Sequence, residues 1–461
     1  MRKDPRTWTI ETLNNKSPSF CAAKWYNASI WLWSGWTTSC HHNPPHYVDL
    51  AQVQADPTAL HNTDIKKNER RMMKQGEKPV NCQFCWIIED VSPDNLSDRT
   101  WLSMSSATDD QIEAAWAASW DQGVDPGYLE IGFDKTCNLA CSYCGPSVSS
   151  AWSRDIKRNG AYQGLITDQR NYYTDSYDWD LKYTYNDQNP LADAFFQWWD
   201  QSLHRNLQHL KITGGEPLMS GHIWRLMSWL ESNPNQSTAE ISLTTNLSYG
   251  TELLDRFLTH ADRIDNRINF HVSGEAMGVK SAYIRQGLDW QAWCANVDHL
   301  MKNQRIDSIR FISTINALAA ENFAEFLAYV VELKKQRPNF VKISVNPVRF
   351  PAFQNIVILP SELRNQFAQE ISSVLQGQEH LFDGMELDSV RRIIDYISDV
   401  QVPHTEGSVQ HTSQTFEQTE SQINIEELQK DFARFFRQYD QRRGVDLAAT
   451  FPRLADWYRA L

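Results

Sequence analysis

The distribution of hydrophobic residues along the chain changes near Tyr128. Beyond this point, short segments rich in β-branched and aromatic residues recur, and longer amphipathic segments separate most of them. Short segments with alternating apolar positions predict strands, whereas apolar residues repeating every three or four positions predict helices. Six strands are predicted on this basis: Tyr128–Phe133, His209–Thr213, Glu240–Thr245, Arg267–Val272, Ser308–Ile315 and Val341–Val345.

Four helices are predicted between these strands, at His222–Ser232, Thr251–Ala261, Trp290–Lys302 and Glu321–Lys335. A repeated strand–helix order is typical of a parallel sheet, because each helix carries the chain back to the starting edge. The predicted fold class is therefore α/β, with a partial TIM-type (β/α)6 barrel over residues 127–350.

Two regions precede the predicted barrel. Residues 16–90 are predicted to form a small unit with little core of its own, containing an apolar strand at Trp25–Trp33 and a turn at Gly35. Its polar helix, Asp64–Lys74, carries the densest basic stretch of the chain, which we interpret as a solvated helix face. Residues 91–126 are predicted to be a linker containing one helix, Asp109–Trp120.

An aromatic-rich insertion is predicted after the first barrel strand, at residues 147–206. It could wall a substrate groove or form a lid packed on the barrel. Residues 351–461 are predicted to form a helical C-terminal region without an assignable motif. The predicted elements of this C-terminal region are helices at Leu363–Leu375, Asp388–Ile397 and Glu426–Arg442 and a polar linker at His404–Gln418. The aromatic residues of the insertion at 147–206 are Tyr172, Tyr173, Tyr177, Trp179, Tyr183, Trp198 and Trp199.

Composition and charge restrict the class of protein. The 461 residues are 41% hydrophobic and 22% charged, as expected for a globular chain of two or three packed units. A net charge of −13 without a long basic run argues against a nucleic-acid partner. No segment reaches the ~18 apolar residues of a membrane span, and residues 1–15 lack a signal-peptide core. We expect a cytoplasmic protein without a membrane partner.

Seven of the eight cysteines fall into two spaced sets. In a reducing compartment, such spacing indicates ligands of a metal or an iron–sulfur cluster and not disulfides. The first set is Cys137-x3-Cys141-x2-Cys144, immediately after the first barrel strand. Three thiolates can hold three irons of a 4Fe–4S cluster and leave the fourth open, as catalysis requires. A zinc knuckle is the alternative, but it needs a fourth ligand that does not follow nearby.

This cysteine spacing, with the aromatic Tyr143 before the last cysteine, resembles the signature of radical S-adenosylmethionine (SAM) enzymes. Gly214-Gly215-Glu216-Pro217, after the second strand, resembles the family's segment that binds the SAM amino group. Glycines at such a position let the backbone approach a ligand closely. The resemblance covers residues 16 to about 350 together with the second cysteine set described below.

Further positions match the family's SAM-binding pattern by their place after successive strands. Thr244-Thr245-Asn246 ends the third strand and corresponds to polar contacts near the ribose, and Ser273 ends the fourth. Arg285 could pair with the SAM carboxylate, because guanidinium suits a bidentate contact. Asn346 follows the sixth strand, where the family packs adenine. The family's Gly-x-Ile-x-Gly adenine motif is absent, with Thr314 and Asn316 standing in its place.

The second cysteine set is Cys21, Cys40, Cys82 and Cys85 in the N-terminal unit. It resembles the twitch domain, a shortened SPASM domain that binds one auxiliary 4Fe–4S cluster and here precedes the barrel. Four thiolates would saturate such a cluster, which favours electron transfer or structural support over substrate binding. A structural four-cysteine zinc site is the alternative, and His41 and His42 could replace a cysteine ligand.

The resemblance implies a radical SAM enzyme with two 4Fe–4S clusters, SAM, and a reductase such as flavodoxin or ferredoxin as partner. The expected reaction is hydrogen abstraction, followed by oxidative modification of a peptide or protein side chain. A sugar, aminocyclitol or similar small metabolite is the alternative substrate, and a non-catalytic iron–sulfur or zinc scaffold is the second alternative. The eighth cysteine, Cys294, lies in a predicted helix and is expected to be a buried apolar group instead of a hydrogen donor.

Overall fold

The computed structural model describes residues 4–92, 95–168, 173, 189–398 and 424–461. Within these residues the chain adopts a mixed α/β fold built on one large, mostly parallel sheet. The strands are β1 (Asn27–Trp31), β2 (Trp36–Thr38), β3 (His46–Tyr47), β4 (Tyr128–Gly132), β5 (Ala140–Cys141), β6 (His209–Thr213), β7 (Glu240–Thr245), β8 (Ile268–Ser273), β9 (Arg285–Gln286), β10 (Ser308–Ile315) and β11 (Val341–Pro347).

Helices flank the sheet and form the two terminal regions. They are α1 (Pro5–Trp8), α2 (Ala23–Tyr26), α3 (Leu50–Ala55), α4 (Asp64–Lys74), α5 (Gln83–Val91), α6 (Asp98–Ser106), α7 (Asp109–Ala117), α8 (Ser150–Asn159), α9 (Pro190–Trp198), α10 (His204–Asn206), α11 (Gly221–Ser232), α12 (Thr251–Ala261), α13 (Gly278–Ile284), α14 (Trp290–Lys302), α15 (Phe323–Gln336), α16 (Ser361–Leu375), α17 (Gly384–Ser398), α18 (Ile425–Arg443), α19 (Leu447–Thr450) and α20 (Ala455–Ala460). None of the helices in the described ranges is both long and apolar enough to span a bilayer.

The large sheet has nine strands in the order β11-β10-β8-β7-β6-β4-β1-β2-β3. The six strands from β4 to β11 are parallel, as the alternating sequence pattern predicts. The sheet does not end at β4, because β1 pairs with β4 in parallel, with Ile30 opposite Ile131. The hairpin strands β2 and β3 then continue the sheet in antiparallel orientation. The N-terminal region and the barrel strands therefore share one hydrogen-bonded sheet.

The two faces of the parallel strands differ in polarity. Along β6, β7 and β10, buried residues alternate with half-buried ones, and the buried residues are apolar except Thr245 and Ser313. The half-buried residues between them are polar except Ile312, and they lie on the opposite, inner face. This face carries charged and polar side chains from neighbouring strands: Glu130, Lys211, Thr244, His271, Ser273, Arg310, Thr314 and Lys342.

Most predicted elements agree with the structure to within two residues, but the apolar strand Trp25–Trp33 does not. The structure forms a helical turn over Ala23–Tyr26 and begins β1 only at Asn27. Residues three apart in a helical turn share one face, and the turn brings Lys24 to the cavity that Cys21 also lines. The alternation of apolar residues could not reveal this turn, because all four of its residues are buried.

The basic stretch of α4 is not the solvated face that the sequence predicts. Lys66 and Arg70 are buried, with 1% and 0% of their surfaces exposed. Lys66 Nζ donates to Thr37 Oγ1 at 2.8 Å, and Arg70 donates to the carbonyl oxygen of Lys24 at 3.1 Å. These contacts come from residues distant in sequence, so local charge patterning could not predict the burial.

The described part of the aromatic insertion packs into the core. Trp152, Tyr162 and Tyr173 contact Phe435 of α18 with ring centroids 6.4, 4.7 and 4.8 Å apart. Each of the three is at most 1% exposed. For these residues the lid interpretation is therefore favoured over an exposed groove. Outside the described residues lie Tyr172, Tyr177, Trp179, Tyr183 and the predicted linker His404–Gln418.

Candidate functional site

The loops after β4, β6, β7 and β8 meet at one edge of the sheet. Parallel strands end at the same edge, and in open α/β sheets this carboxyl edge is where ligands bind. The cysteine loop follows β4, and Gly214-Gly215-Glu216 follows β6. Asn246 comes directly after β7, and Glu275 comes two residues after β8. The topology thus brings predicted site residues that follow three of these strands to the same edge as Glu275, which the sequence did not predict.

Backbone anchors from later elements hold the cysteine loop in place. The amide of Cys137 donates to Ser150 Oγ at 2.9 Å, at the start of α8. Trp152 Nε1 donates to the carbonyl oxygen of Cys141 at 2.8 Å, and the Tyr173 hydroxyl donates to that of Cys144 at 2.6 Å. Because these bonds use main-chain groups, the three thiol side chains are left free to bind a ligand.

The three thiols lie close enough to influence one another. Burial raises the pKa of all three thiols, and that of Cys141 reaches about 12. In each case a neighbouring cysteine or acidic group adds to the increase. The thiols are therefore protonated at neutral pH, and loading a metal here must release protons.

The spacing of the sulfur atoms favours a cluster over a single ion. Among the residues that the structure describes, only His41, His42 and Asp98 place three potential ligand atoms within 4.8 Å of one another. Two sulfurs on one zinc ion lie at most about 4.6 Å apart, since each Zn–S bond is about 2.3 Å. Neither cysteine set is this compact. Thiolates bound to separate irons of a 4Fe–4S cluster can be spread more widely, so the donor set fits a cluster.

The glycines of the Gly-Gly-Glu segment are required by the cysteine loop itself. A Cβ added at Gly215 would lie 2.2 Å from the carbonyl oxygen of Thr136, and one at Gly214 would lie 2.6 Å from that of Asp134. In this packed arrangement, the amide of Glu216 donates to the Thr136 oxygen at 2.6 Å. The structure thus gives these glycines a role other than the close approach to a ligand that the sequence suggests: they admit the backbone that carries the cysteines.

Glu216 is a buried carboxylate at the centre of this edge. Its two oxygens accept hydrogen bonds from Thr245 Oγ1 at 2.8 Å and from the amide of Asn246 at 2.7 Å. Burial raises the pKa of Glu216 to about 7, although these hydrogen bonds oppose the increase. No cation among the described residues forms an ion pair with it. A bound ammonium group would supply the positive charge that stabilises the ionised carboxylate.

Asn246 connects the Gly-Gly-Glu segment to the cysteine loop. Its side-chain amide donates to Asn138 Oδ1 at 2.8 Å and lies 3.9 Å from Cys137 Sγ. Ser273 is half-buried at the end of β8, and Asn346 is exposed near the end of β11. The structure therefore places Asn246 at the cysteines, and Ser273 and Asn346 at the same edge farther along the sheet.

Arg285 forms a buried ion pair that the sequence analysis missed. Its Nε and Nη2 atoms donate to Glu275 Oε2 at 3.1 and 2.5 Å, and Nη1 lies 3.9 Å from Cys141 Sγ. The Tyr143 hydroxyl donates to the other oxygen of Glu275 at 3.0 Å. Glu275 stands only two residues after Ser273, so the rule that strand ends carry functional residues could have identified it. Because Nε and Nη2 of Arg285 bind Glu275, only Nη1 remains for the predicted contact with SAM.

The second cysteine set lines one cavity. All four cysteines line it, together with Lys24 and Ser39, among others. The hydroxyl of Ser39 is buried and has no hydrogen-bond partner in the described structure. An unpartnered donor in a cavity lined by thiols fits a bound group with acceptor atoms, such as the sulfides of a cluster. The residues present therefore fit an auxiliary cluster on Cys21, Cys40, Cys82 and Cys85.

His41 and His42 direct their imidazole Nε2 atoms to Asp98, at the start of α6. The Asp98 carboxylate lies 3.4 Å from His41, and His42 also stacks on Phe84 with ring centroids 3.5 Å apart. These contacts account for both rings without cluster ligation. Cys294 is half-buried on α14 and packs against the core, in accordance with the expected apolar role.

Comparison with known proteins does not assign this chain to a family. No protein-family model matches it, and no curated protein matches it. One solved structure, titled "Structure of TYW1 with a lysine-pyruvate adduct bound", aligns with 51% of this chain and 70% of its own. The sequence identity is 13% and the TM-score is 0.27. A similarity of this degree defines neither a family nor a shared fold.

Replacing Gly215 with alanine is expected to displace the cysteine loop. The new Cβ would overlap the Thr136 carbonyl, and neither backbone segment can move without breaking the hydrogen bond between them. Anaerobic reconstitution of Gly215→Ala should yield about four fewer irons per chain than wild type.

Gly384→Ala is the matched control, because a Cβ at Gly384 would meet nothing within 4 Å. This control should load iron as wild type does. Wild-type iron content in Gly215→Ala would contradict the tight packing of the two loops.

Proposed function

We propose that the chain is a radical SAM enzyme with a catalytic 4Fe–4S cluster on Cys137, Cys141 and Cys144. The observation that carries this proposal is the hydrogen-bonded packing of the three-cysteine loop on the Gly-Gly-Glu segment at the carboxyl edge of a parallel sheet. A structural metal site does not need a buried carboxylate beside it, whereas an ammonium-bearing cosubstrate does. The partial (β/α)6 barrel is part of the same proposal.

When bound, the cluster and SAM would supply one-electron cleavage of the sulfonium, yielding methionine and a 5′-deoxyadenosyl radical that abstracts a hydrogen atom. The protein positions these groups. Glu216 would accept the SAM ammonium, and Asn246 orients both Glu216 and the cysteine loop. Ser273, Asn346 and Arg285, through Nη1, remain the proposed contacts for the rest of SAM. Phe435 and the aromatic residues packed on it close the loop from solvent.

The proposed reaction is oxidative, because the second cysteine set would hold an auxiliary cluster able to take an electron from a substrate radical. The proposed substrate is a peptide or protein side chain, and flavodoxin or ferredoxin is the proposed reductase. The location is proposed to be the cytoplasm.

A small polar metabolite is the second candidate substrate, and the inner face of the sheet favours it. Lys211 forms an ion pair with Glu130 at 3.1 Å. Arg310 lies opposite His271 on the neighbouring strand and forms no ion pair among the described residues. Burial and the nearby cations Lys211 and Arg310 lower the pKa of His271 to about 4. An anionic group on a sugar or cyclitol would complement Arg310. A substrate panel scored by increased 5′-deoxyadenosine would separate small anions from peptides.

Iron content and SAM cleavage test the proposal directly. Wild type, reconstituted anaerobically, should bind about eight irons per chain, and Cys137/Cys141/Cys144→Ala should bind about four. With dithionite and SAM, wild type should release 5′-deoxyadenosine and the triple variant should not. Cys294→Ala is the control and should retain both properties.

Fully loaded wild-type protein that does not cleave SAM would overturn the enzyme proposal in favour of a scaffold. About four irons in wild type, with zinc on the second set, would remove the auxiliary cluster and with it the oxidative reaction.

The affinity for SAM should depend on pH through Glu216. A carboxylate with a pKa of about 7 is neutral below that pH and cannot hold an ammonium group. An α-amino group loses its proton near pH 8. Binding should therefore be tightest between about pH 7 and 8 and weaken about tenfold for each pH unit below 7. Equilibrium dialysis of SAM against the anaerobic holoenzyme would measure this profile.

Glu216→Gln is the control for this profile. It should bind SAM more weakly at pH 7.5, and its affinity should not change between pH 6 and 7. An acidic limb that persists unchanged in Glu216→Gln would assign the titration to another group.

A further inference from the structure

Three buried cations lie in the N-terminal region that carries the second cysteine set, and one of them, Lys24, lines the cavity. Lys24, Lys66 and Arg70 are at most 2% exposed. Only one of them forms an ion pair among the described residues, which is Lys24 with Glu69 at 2.7 Å. Glu69 is itself buried. Fully buried lysine and arginine side chains are rare unless an opposite charge accompanies them.

Lys66 and Arg70 bind only neutral groups. Lys66 Nζ donates to Thr37 Oγ1 at 2.8 Å and to the carbonyl oxygen of Thr38 at 3.1 Å. Arg70 donates to Asn62 Oδ1 at 3.0 Å as well as to the carbonyl oxygen of Lys24. Burial lowers the pKa of Arg70 to about 9. The pKa of Lys66 is also lowered, by its burial and by the nearby positive charges of Arg70 and Lys24. Glu69 is therefore the one buried carboxylate that these three cations share, which leaves positive charge in excess.

The cysteines lie where that negative charge would be supplied. Lys24 lines the cavity with all four of them. Lys66 also interacts electrostatically with Cys40. Four thiolates on a doubly positive 4Fe–4S core carry a net charge of minus two, which would balance Lys66 and Arg70.

We infer that Lys24 and Lys66 raise the reduction potential of the auxiliary cluster, so that it accepts an electron from the substrate. This inference rests on the proposed function. Reduction adds one negative charge to a buried site, and buried cations stabilise that charge more strongly than solvent-exposed ones do. Both residues act through the cluster and are therefore positioning residues.

The substrate first loses a hydrogen atom to the 5′-deoxyadenosyl radical, which becomes 5′-deoxyadenosine, and the resulting substrate radical then loses one electron and one proton. The electron would reduce the auxiliary cluster by one unit, and the proton goes to a base or to water. The substrate is oxidised by two electrons in total, one leaving with the hydrogen atom and one passing to the auxiliary cluster. The separate electron that cleaves SAM comes from the reductase. An oxidised one-electron carrier such as flavodoxin then takes the electron from the auxiliary cluster.

The test measures the potential of the auxiliary cluster in the Cys137/Cys141/Cys144→Ala background, where the auxiliary site alone would hold iron. Redox titration followed by electron paramagnetic resonance gives the potential, and iron content is measured beforehand. Lys24→Met and Lys66→Met should lower the potential, whereas Glu69→Gln should raise it. Lys24→Arg should restore a value near wild type. Opposite shifts from the two members of one ion pair distinguish charge from structural damage.

The ion pair between Lys334 and Glu386 is the matched control, because its side chains are also buried and its separation is also 2.7 Å. It joins α15 to α17 and touches no cysteine, so Lys334→Met and Glu386→Gln should leave the potential unchanged. Lys24→Met leaves the buried Glu69 carboxylate unpaired, whereas Glu69→Gln and Lys66→Met leave no buried carboxylate unpaired. If Lys24→Met fails to load iron, these two variants therefore decide whether the cations set the potential.

Fully loaded Lys66→Met and Glu69→Gln variants with wild-type potentials would overturn the inference, as would shifts in the same direction. The proposed function would still stand, because iron content and SAM cleavage are measured separately. Zinc at the second set would overturn the inference and the oxidative reaction together, while SAM cleavage at the first set would be unaffected.

Discussion

The close approach of two backbone segments determines the geometry of the whole site. The loop after β4 and the segment after β6 contact each other where Gly214 and Gly215 have no side chain. The hydrogen bond from the Glu216 amide to the Thr136 oxygen depends on this contact. The contact also fixes the Glu216 carboxylate next to the β7 end, where Thr245 and Asn246 bind it. The positions of the cysteine loop, the Glu216 carboxylate and the end of β7 thus all depend on this one backbone contact.

Charge burial complements this steric constraint. Both cysteine sets lie where buried protein groups of one sign are in excess. Glu216, near the first set, is a buried acid that forms no ion pair among the described residues, whereas in the region of the second set the buried cations Lys24, Lys66 and Arg70 share one buried acid, Glu69. Such groups are costly unless a ligand completes the balance. The two imbalances have opposite signs, which agrees with an ammonium-bearing ligand at one site and a dianionic cluster at the other.

The parallel strands and the cysteine sets could be predicted from the sequence because local patterns define them. β-branched alternation located β6, β7 and β10 at their observed bounds, and Gly35 marked the turn between β1 and β2. The tertiary contacts could not be predicted in this way. Arg285 meets Glu275 only after a helix returns the chain to β5, and the burial of α4 depends on residues from the hairpin. Local charge patterns carry no information about such partners.

The parallel pairing of β1 with β4 has a consequence for the modularity of the protein. A chain that began at β4 would expose the full hydrogen-bonding edge of an apolar strand whose residues Leu129 and Ile131 are completely buried. Exposed edges of this kind recruit other strands and promote aggregation. The N-terminal region is therefore a protective cap for the sheet as well as a holder of cysteines. It is an inseparable part of the fold that could not be removed or exchanged as an independent cassette.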